Sequence, residues 1–204
     1  MRRPRVCLTG GIACGKSLLS RYLNELGVET IDADDIVHEL IPDPAERRRM
    51  AAEVFADEVK RKELEARIHP LVKARIEEFL DMGDERNCAL HVSRAFNPVN
   101  SVERKQPTIR LAIIPLLFET HWDSKYDIIC CVASDRETQV SRMTATRGYT
   151  REEAEARLAA QLPVAEKAAR SHYVIDNNGT AEELKVKAEE FVKWLKNSMC
   201  SQDR

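Results

Sequence analysis

The chain has 204 residues, a length that fits one domain with small insertions and argues against two full-sized domains. Hydrophobic residues make up 43% of it and charged residues 32%, which is typical of a soluble globular protein and excludes a fibrous or disordered one. With 32 basic and 34 acidic residues the formal net charge is −2, so there is no excess of positive charge to neutralise a nucleic-acid backbone. We expect small molecules as partners, and no nucleic acid.

The sequence also argues against membrane attachment and secretion. Its longest apolar run, from Leu111 to Phe118, is far too short for a membrane span and contains a proline. The basic first residues precede a short apolar stretch that Thr9, Gly10 and Gly11 interrupt, so no signal or transit peptide is predicted. The six cysteines form no CxxC pair, which suits reduced thiols. We expect a cytoplasmic protein, and a monomer is compatible with the sequence, which does not define the oligomeric state.

A strand, a helix and a second strand are predicted first along the chain. Val6–Leu8 is a short apolar strand that runs into a glycine-rich turn, and Val28–Ile31 is the second strand. The helix between them ends before Gly27, a residue type that is common just after a helix. Its apolar residues recur at helical spacing: Leu18, Leu19, Tyr22, Leu23 and Leu26. This order predicts a βαβ unit with parallel strands.

The charged stretch from 36 to 82 is predicted to be helical. Pro70 is placed in the first turn of a helix, where proline is tolerated. The residues after it form an apolar stripe on one face: Val72, Ile76, Phe79 and Leu80. Residues 88–92 are compatible with either a strand or a buried loop, and the polar residues after them predict a long exposed loop at roughly 93–107.

Three further strands are predicted in the second half of the chain: Ile109–Ile114, Asp127–Val132 and Tyr173–Asp176. The first of them is almost entirely apolar, which indicates a strand covered on both faces. Because strands and helices alternate along the chain, we predict an α/β fold with a doubly wound parallel sheet.

Four helices accompany these strands, near 137–146, from 150, around 164–170 and from 180 onward. Thr150 with Glu153, and Thr180 with Glu183, have the spacing of capping boxes and mark two of the helix starts. The last helix carries a stripe that should face the core: Leu184, Ala188, Phe191, Val192 and Leu195.

The motif Gly10-x-x-x-x-Gly15-Lys16-Ser17 lies between the first strand and the first helix, which is the position of a phosphate-binding P-loop. In such a loop backbone N–H groups surround phosphate oxygens, the lysine reaches the β- and γ-phosphates, and the hydroxyl binds Mg²⁺. The N-terminus of the following helix adds a favourable potential for anions. The motif predicts a nucleotide site in which Lys16 and Ser17 have these roles.

Cys14 lies inside this loop, beside Lys16 and close to the start of a helix. Both neighbours favour the thiolate, which predicts a reactive cysteine with a lowered pKa. The alternative is an inert small residue whose thiol points into the core. The two interpretations differ in whether a thiol-alkylating reagent should inactivate the protein.

An acidic cluster of Asp32, Asp34 and Asp35 follows the second strand. In an open α/β sheet the carboxyl ends of the strands face the ligand, so a carboxylate there can reach both a metal ion and an acceptor hydroxyl. We interpret Asp32 and Asp34 in this way. Asp35 fits better as a solvated residue that caps the next helix.

Six segments of the sequence resemble the dephospho-CoA kinase family, occur in the family's order and extend over most of the chain. They read LTGGIACGKS, GVETIDADDIVHEL, ARIHPLV, IIPLLFE, QVSRMTATRGYTREEAEARLAAQ and YVIDNNG. A P-loop by itself indicates only nucleotide binding, whereas IDAD, HPLV, PLLFE and VIDNNG at junctions of strands and helices are typical of this family. The P-loop departs from the family pattern at Ala13 and Cys14, which stand where a glycine and a serine are usual.

The resemblance implies a P-loop NTPase fold of the nucleoside-monophosphate-kinase type, with a five-stranded parallel sheet flanked by helices. The core would comprise 1–35, 107–140 and 172–204, a helical CoA-binding insertion about 36–90, and a lid about 141–171. The implied reaction is the last step of coenzyme A biosynthesis. In it, ATP with Mg²⁺ phosphorylates the 3′-hydroxyl of dephospho-CoA and gives coenzyme A and ADP.

The resemblance also implies roles for individual residues. Asp34 would accept the hydroxyl proton, and Lys16 and Arg142 would act on the transferred phosphoryl group, with Arg142 and Arg147 as lid arginines. The ATP-binding set would consist of Gly11, Ile12, Ala13, Cys14, Gly15, Lys16, Ser17 and Leu18 in the P-loop, the two arginines, and Asn177 and Gly179 near the adenine. The acceptor site would be bordered by His69, Leu116, Leu117 and Glu119.

Simpler roles are open for several of these residues. Arg142 and Arg147 could solvate a charged helix, His69 could pack locally at a helix start, and Glu119 could be a surface acid. The segment between IDAD and HPLV is shorter than is usual in the family, which leaves open a nucleotide-dependent binding protein with a degenerate acceptor site, or another P-loop small-molecule kinase. A GTPase is a further alternative, because 124–127 faintly resembles the guanine-reading NKxD signature, although it precedes a strand instead of following one.

Overall fold

Residues 3–47, 49–50, 58–82 and 109–201 are the parts of the chain that the computed structural model describes. They belong to two compact units. The described residues of 1–30 and 93–204 form the first unit, and those of 31–92 form the second. The segment predicted as strand or loop at 88–92 and the long loop predicted at 93–107 lie outside the described residues.

The five predicted strands form one sheet, as expected. They are β1 (Val6–Gly10), β2 (Val28–Asp32), β3 (Ile109–Ile113), β4 (Ile128–Ala133) and β5 (Tyr173–Asp176), in the order β2-β3-β1-β4-β5. In the parallel pairings of the centre, Val6 is in register with Leu111 and with Ile128. Because β1 and β3 consist almost entirely of buried residues, both faces of the sheet are covered. The prediction of a parallel α/β sheet flanked by helices is confirmed.

Helix α1 (Lys16–Glu25) directly follows the glycine-rich turn. Leu19 and Leu23 are fully buried on its inner face. The helix ends before Gly27, whose φ of 84° lies in the left-handed region and whose N–H donates to the carbonyl of Asn24 at 3.1 Å. Glycine adopts this φ without a steric penalty, which is why the helix stops where the sequence predicted.

The second unit contains α2 (Ala33–Leu40), which packs against α3 (Glu58–Asp81). The prediction that Asp35 caps α2 is wrong, because the capping residue is Asp32. The Asp32 carboxylate accepts a hydrogen bond from the backbone N–H of Asp34 at 2.9 Å, and Asp35 lies inside the first helical turn. Asp32 is the last residue of β2 and keeps an extended conformation, which is typical of a helix N-cap.

The prediction that Pro70 lies in the first turn of a helix is also wrong, because it lies inside α3. A proline in a helix interior removes one hydrogen bond and typically costs about 3 kcal/mol. The turns after Pro70 offset this cost through their apolar stripe, in which Val72, Ile76 and Leu80 are buried as predicted and Phe79 is half-buried. Tertiary burial therefore outweighs the local effect of the proline.

The remaining helices are α4 (Arg136–Arg147), α5 (Arg151–Ala159), α6 (Val164–Ala169) and α7 (Ala181–Ser201). Both predicted capping boxes are confirmed, at Thr150 with Glu153 and at Thr180 with Glu183. All five residues of the stripe predicted for α7 are buried, and α7 packs against α1, the helix that follows the P-loop. Among the described residues, no helix is long and apolar enough to cross a membrane.

Candidate active site

The glycine-rich turn leaves β1 at its carboxyl end and enters α1. Three of its residues have positive φ: Gly10 at 147°, Ala13 at 58° and Gly15 at 93°. Gly15 occupies the N-cap position of α1, where no side chain caps the first N–H groups of the helix. Uncapped N–H groups at the positive end of a helix dipole form an anion site. The geometry is that of a phosphate-binding loop, as the motif predicted.

Lys16 is the first residue of α1, and its side chain folds back along the loop. Its Nζ donates to the carbonyl of Gly10 at 3.1 Å and to that of Gly11 at 2.8 Å. These two carbonyls hold the ammonium group beside the loop. A point charge with three donors at this position suits the oxygens of a β- or γ-phosphate.

Ser17, the second residue of α1, has an exposed side chain, so its hydroxyl is accessible to a ligand. The described residues contain no cluster of three His, Cys, Asp or Glu side chains that could hold a metal by themselves. Mg²⁺ in phosphoryl-transfer sites keeps several waters and is bound by one or two protein oxygens together with the phosphates. A single hydroxyl at Ser17 fits this kind of site, in which the nucleotide carries most of the coordination.

Ala13 has a φ of 58°, in the left-handed region where a Cβ costs about 1 to 2 kcal/mol. This is the position at which the dephospho-CoA kinase pattern has glycine. A positive φ at this position favours glycine, and this chain adopts it with a strained alanine.

The interpretation of Cys14 as a reactive thiolate is wrong. The side chain is fully buried, and burial raises the pKa of the thiol despite the nearby Lys16 ammonium and a hydrogen bond with Ser134. Desolvation of the thiolate outweighs the favourable charge. This arrangement matches the alternative interpretation, in which the thiol of Cys14 points into the core.

Three side chains from outside the loop bind three successive carbonyls of the loop. Gln139 Nε2 donates to Ile12 at 2.7 Å, Arg142 Nη1 to Ala13 at 3.4 Å, and Asn177 Nδ2 to Cys14 at 2.8 Å. Gln139 had no assigned role in the sequence. The sequence feature that could have identified it is a polar residue beside Val140 on the buried face of α4. A side-chain amide buried at such a position needs a hydrogen-bond partner.

The structure places the two predicted lid arginines differently. Arg142 is half-buried at the loop, where it also donates to Ser134 Oγ at 3.1 Å, so it does more than solvate a helix. Arg147 is exposed in the last turn of α4. Of the two, the structure brings only Arg142 to the P-loop.

Asn177 follows β5, in the turn expected near the adenine. It is 5% exposed. Its side-chain amide donates to the P-loop, and its backbone carbonyl accepts a hydrogen bond from Ser134 Oγ at 2.7 Å. Gly179 lies in the exposed turn before α7. The side chain of Asn177 thus supports the P-loop, whereas Asn178 and Gly179 are the exposed residues of this turn.

The PLLFE segment follows β3, and its Glu119 is neither a simple surface acid nor free of partners. Glu119 Oε1 accepts from Lys167 Nζ at 2.7 Å and from the N–H of Leu162 at 3.0 Å, while its Oε2 is buried without a hydrogen-bond partner. Lys167, which the sequence did not single out, is fully buried and also donates to the carbonyl of Pro115 at 2.8 Å. In the same segment Leu117 is buried and Leu116 is 43% exposed.

The second unit holds the remaining candidates. Asp34 is exposed in the first turn of α2, and the carboxylate of Asp32 is engaged in the cap of that helix. His69 is half-buried and lies inside α3 directly before Pro70. It is therefore not the helix-start residue of the simpler interpretation.

The guanine-reading alternative has no support in the geometry. The segment 124–127 lies in and after a short 3-10 turn before β4. Asp127, which would have to read a guanine base, accepts a hydrogen bond from the backbone N–H of Arg5 at 2.7 Å.

Comparison with known proteins settles the family. The family model described as dephospho-CoA kinase matches residues 5–46 and 43–183. The chain belongs to the dephospho-CoA kinase family. A relative named dephospho-CoA kinase from Geobacter sulfurreducens is 39% identical over an alignment that covers 93% of this chain and 96% of the relative.

Solved structures agree on the fold. The chain is similar to TT1252 from Thermus thermophilus, with a TM-score of 0.71, 28% identity and coverage of 96% of this chain and 99% of that one. A shikimate kinase from Acinetobacter baumannii has the same fold at 18% identity, with a TM-score of 0.59 and coverage of 96% and 94%. Both comparisons agree with the parallel sheet flanked by helices described above.

Proposed function

We propose that this protein transfers the γ-phosphoryl group of ATP to the 3′-hydroxyl of dephospho-CoA, giving coenzyme A and ADP in the last step of coenzyme A biosynthesis. The observation that carries the proposal is a complete P-loop, with Lys16 and Ser17 in place at the start of α1, in a chain of the dephospho-CoA kinase family. Phosphoryl transfer depends mainly on positioning and charge neutralisation, which such a loop supplies.

ATP would bind with its phosphates in the loop formed by residues 11–18. The backbone N–H groups and the start of α1 favour the anionic phosphates. The Lys16 ammonium lies at the loop, where it would contact the β- and γ-phosphates. Mg²⁺ would be held by Ser17 and the phosphates, where it would neutralise developing charge. The adenine would lie beside the turn from Asn177 to Gly179.

Asp34 is the proposed base that accepts the proton of the acceptor hydroxyl. The choice over Asp32 rests on the helix cap, because the Asp32 carboxylate is engaged with the backbone of α2 while Asp34 is exposed. A carboxylate within reach of the acceptor hydroxyl can take its proton in the transition state and contributes through its position.

The remaining substrate contacts are proposed by analogy with the family pattern. His69, Leu116, Leu117 and Glu119 would border the acceptor, within a helical insertion of about 36–90 and the segment after β3. Arg142 and Arg147 would close over the phosphates as part of a lid of about 141–171. ATP and dephospho-CoA would be the partners of a cytoplasmic enzyme that needs neither nucleic acid nor a membrane.

An acceptor panel tests the proposal. ATP consumption is measured with dephospho-CoA, adenosine, GMP and no acceptor, and the product is identified by mass spectrometry. We expect turnover only with dephospho-CoA and a product that gains one phosphate. Turnover with another acceptor would indicate a different small-molecule kinase, and ATP binding without turnover on any acceptor would indicate a binding protein.

A further inference from the structure

The outer side of the P-loop is held by side chains from two other elements. The carbonyls of Ile12, Ala13 and Cys14 all accept hydrogen bonds from outside the loop. In a trans peptide the carbonyl and the following N–H point in opposite directions. Fixing the carbonyls of Ile12 and Cys14 outward therefore aims the N–H groups of Ala13 and Gly15 toward the opposite side, where a phosphate would lie, whereas the N–H of Cys14 donates to the carbonyl of Gly11 at 3.4 Å.

Two of the donors are buried neutral amides. Gln139 on α4 is 4% exposed and Asn177 after β5 is 5% exposed. The third donor, Arg142, is charged, only half-buried, and makes the longest of the three contacts, at 3.4 Å. A buried amide left without a partner is costly, so Gln139 and Asn177 have a strong preference for the loop conformation that pairs them.

The glycines of the motif provide the room for these amides. A Cβ on Gly11 would lie 2.5 Å from Gln139 Nε2, and a Cβ on Gly15 would overlap Asn177 Nδ2. Gly11 does not have a positive φ, so backbone conformation does not explain the glycine at this position. The close approach of Gln139 Nε2 is the main obstacle to a Cβ there, and Cys14 Sγ, 3.1 Å from the same Cβ, is a smaller one.

We propose that Gln139 is a positioning residue for the P-loop, which orients the loop N–H groups for phosphate through its hydrogen bond to Ile12 and its close contact with Gly11. Its side chain contacts the outer side of the loop and acts on the ligand through the loop alone. The proposal rests on the proposed function only in requiring that the loop binds nucleotide phosphates. It does not depend on the identity of the acceptor.

Gln139→Met tests the proposal, because methionine keeps the length of the side chain and removes the donor. The affinities for pyrophosphate and ADP are measured by calorimetry well below the melting temperature. We expect both to weaken by about three- to tenfold, the change typical of one lost hydrogen bond, and the KM for ATP to rise more than kcat falls. Val192→Ala is the control, since Val192 is a buried core residue on α7 that makes no hydrogen bond through its side chain, and it should lower only the melting temperature.

A second pair of variants tests the contact with Gly11 and does not depend on methionine being tolerated. Gly11→Ala should weaken pyrophosphate binding strongly in the wild-type background. The loss should be smaller when Gln139→Ala has removed the opposing amide, because residues in contact show non-additive effects.

Two results would overturn the proposal. One is Gln139→Met with unchanged pyrophosphate affinity and a lowered melting temperature, as in the control. The other is strict additivity of Gly11→Ala and Gln139→Ala. Absence of turnover with dephospho-CoA would contradict the proposed function instead, and it would leave the pyrophosphate measurements valid.

Discussion

Two groups of buried polar contacts in the first unit differ in the charge they use. The P-loop is held mainly by neutral amides, those of Gln139 and Asn177. Helix α6 is held by an ion pair, in which the fully buried Lys167 meets Glu119 at 2.7 Å. Neutral amides add no net charge at the loop, so the potential there comes from Lys16, Arg142 and the helix N-terminus. An ion pair fixes one geometry and adds little net charge. Charge at the loop should therefore serve the ligand, and charge at α6 should serve the fold.

The largest effect should come from a residue outside both groups. Asp34→Asn should lower kcat by about 10²- to 10⁴-fold, the range typical of general acid–base catalysis, while pyrophosphate affinity and the melting temperature stay near wild type. The measurement is steady-state turnover at saturating ATP and dephospho-CoA. Near-normal turnover would exclude Asp34 as the base and make Asp32 the better candidate.

Lys16→Met should affect catalysis far more than folding. Removing a charged donor that acts on the transferred phosphoryl group should lower kcat by about 10²- to 10³-fold. The melting temperature should change less than for a fully buried lysine such as Lys167, because Lys16 is only half-buried and donates to the neutral backbone carbonyls of Gly10 and Gly11. Thermal unfolding and turnover are measured on the same preparation. A large loss of stability with normal turnover would show that Lys16 serves the fold and not the ligand.

Lys167→Met should show the opposite pattern. It leaves the Glu119 carboxylate without its buried partner and should lower the free energy of unfolding by about 3 kcal/mol, the lower end for a broken buried pair, since Glu119 keeps 23% of its side chain exposed. Urea unfolding measures this loss. Pyrophosphate affinity should stay within about twofold, less than the effect of one hydrogen bond.

The double variant with Glu119→Gln serves as the matched control for Lys167→Met. It should recover part of the stability, because no unpaired carboxylate then remains. If Lys167→Met instead abolished pyrophosphate binding in a folded protein, the ion pair would belong to the binding machinery.

The smallest effect is expected at Ala13. Ala13→Gly should raise the free energy of unfolding by about 0.5 to 1 kcal/mol, because it relieves a left-handed conformation that disfavours a Cβ. Ala156→Gly, at an exposed site in α5, is the control of opposite sign and should cost about 1 kcal/mol. Equal destabilisation by both substitutions would show that Ala13 is not strained.

Much of the fold was predictable because its signals are local. The P-loop motif, the capping boxes at Thr150 and Thr180, and Gly27 after α1 each depend on residues within one turn of chain. The apolar strands and the stripe of α7 follow from periodicity, which reports burial directly. These signals place Lys16 and Ser17 at the start of α1 without knowledge of the tertiary structure.

The predictions that were wrong depend on distant residues. Pro70 lies inside a helix because burial of Val72 and Ile76 offsets the local cost of proline. The pKa of Cys14 is raised because the packed core around it excludes solvent. The sequence shows the neighbouring lysine but not this core. Gln139 and Lys167 had no sequence signal of comparable strength, since their partners lie far away along the chain at Ile12 and Glu119.

The burial of Cys14 has a consequence for inhibitor chemistry. A covalent inhibitor directed at a P-loop cysteine must reach the sulfur from the phosphate site. Here the Sγ atom faces the protein interior, with its pKa raised by burial and Ser134 as a hydrogen-bond partner. An electrophilic nucleotide analogue would meet backbone amides at this position and not the buried sulfur, so warheads that alkylate thiols do not suit this site.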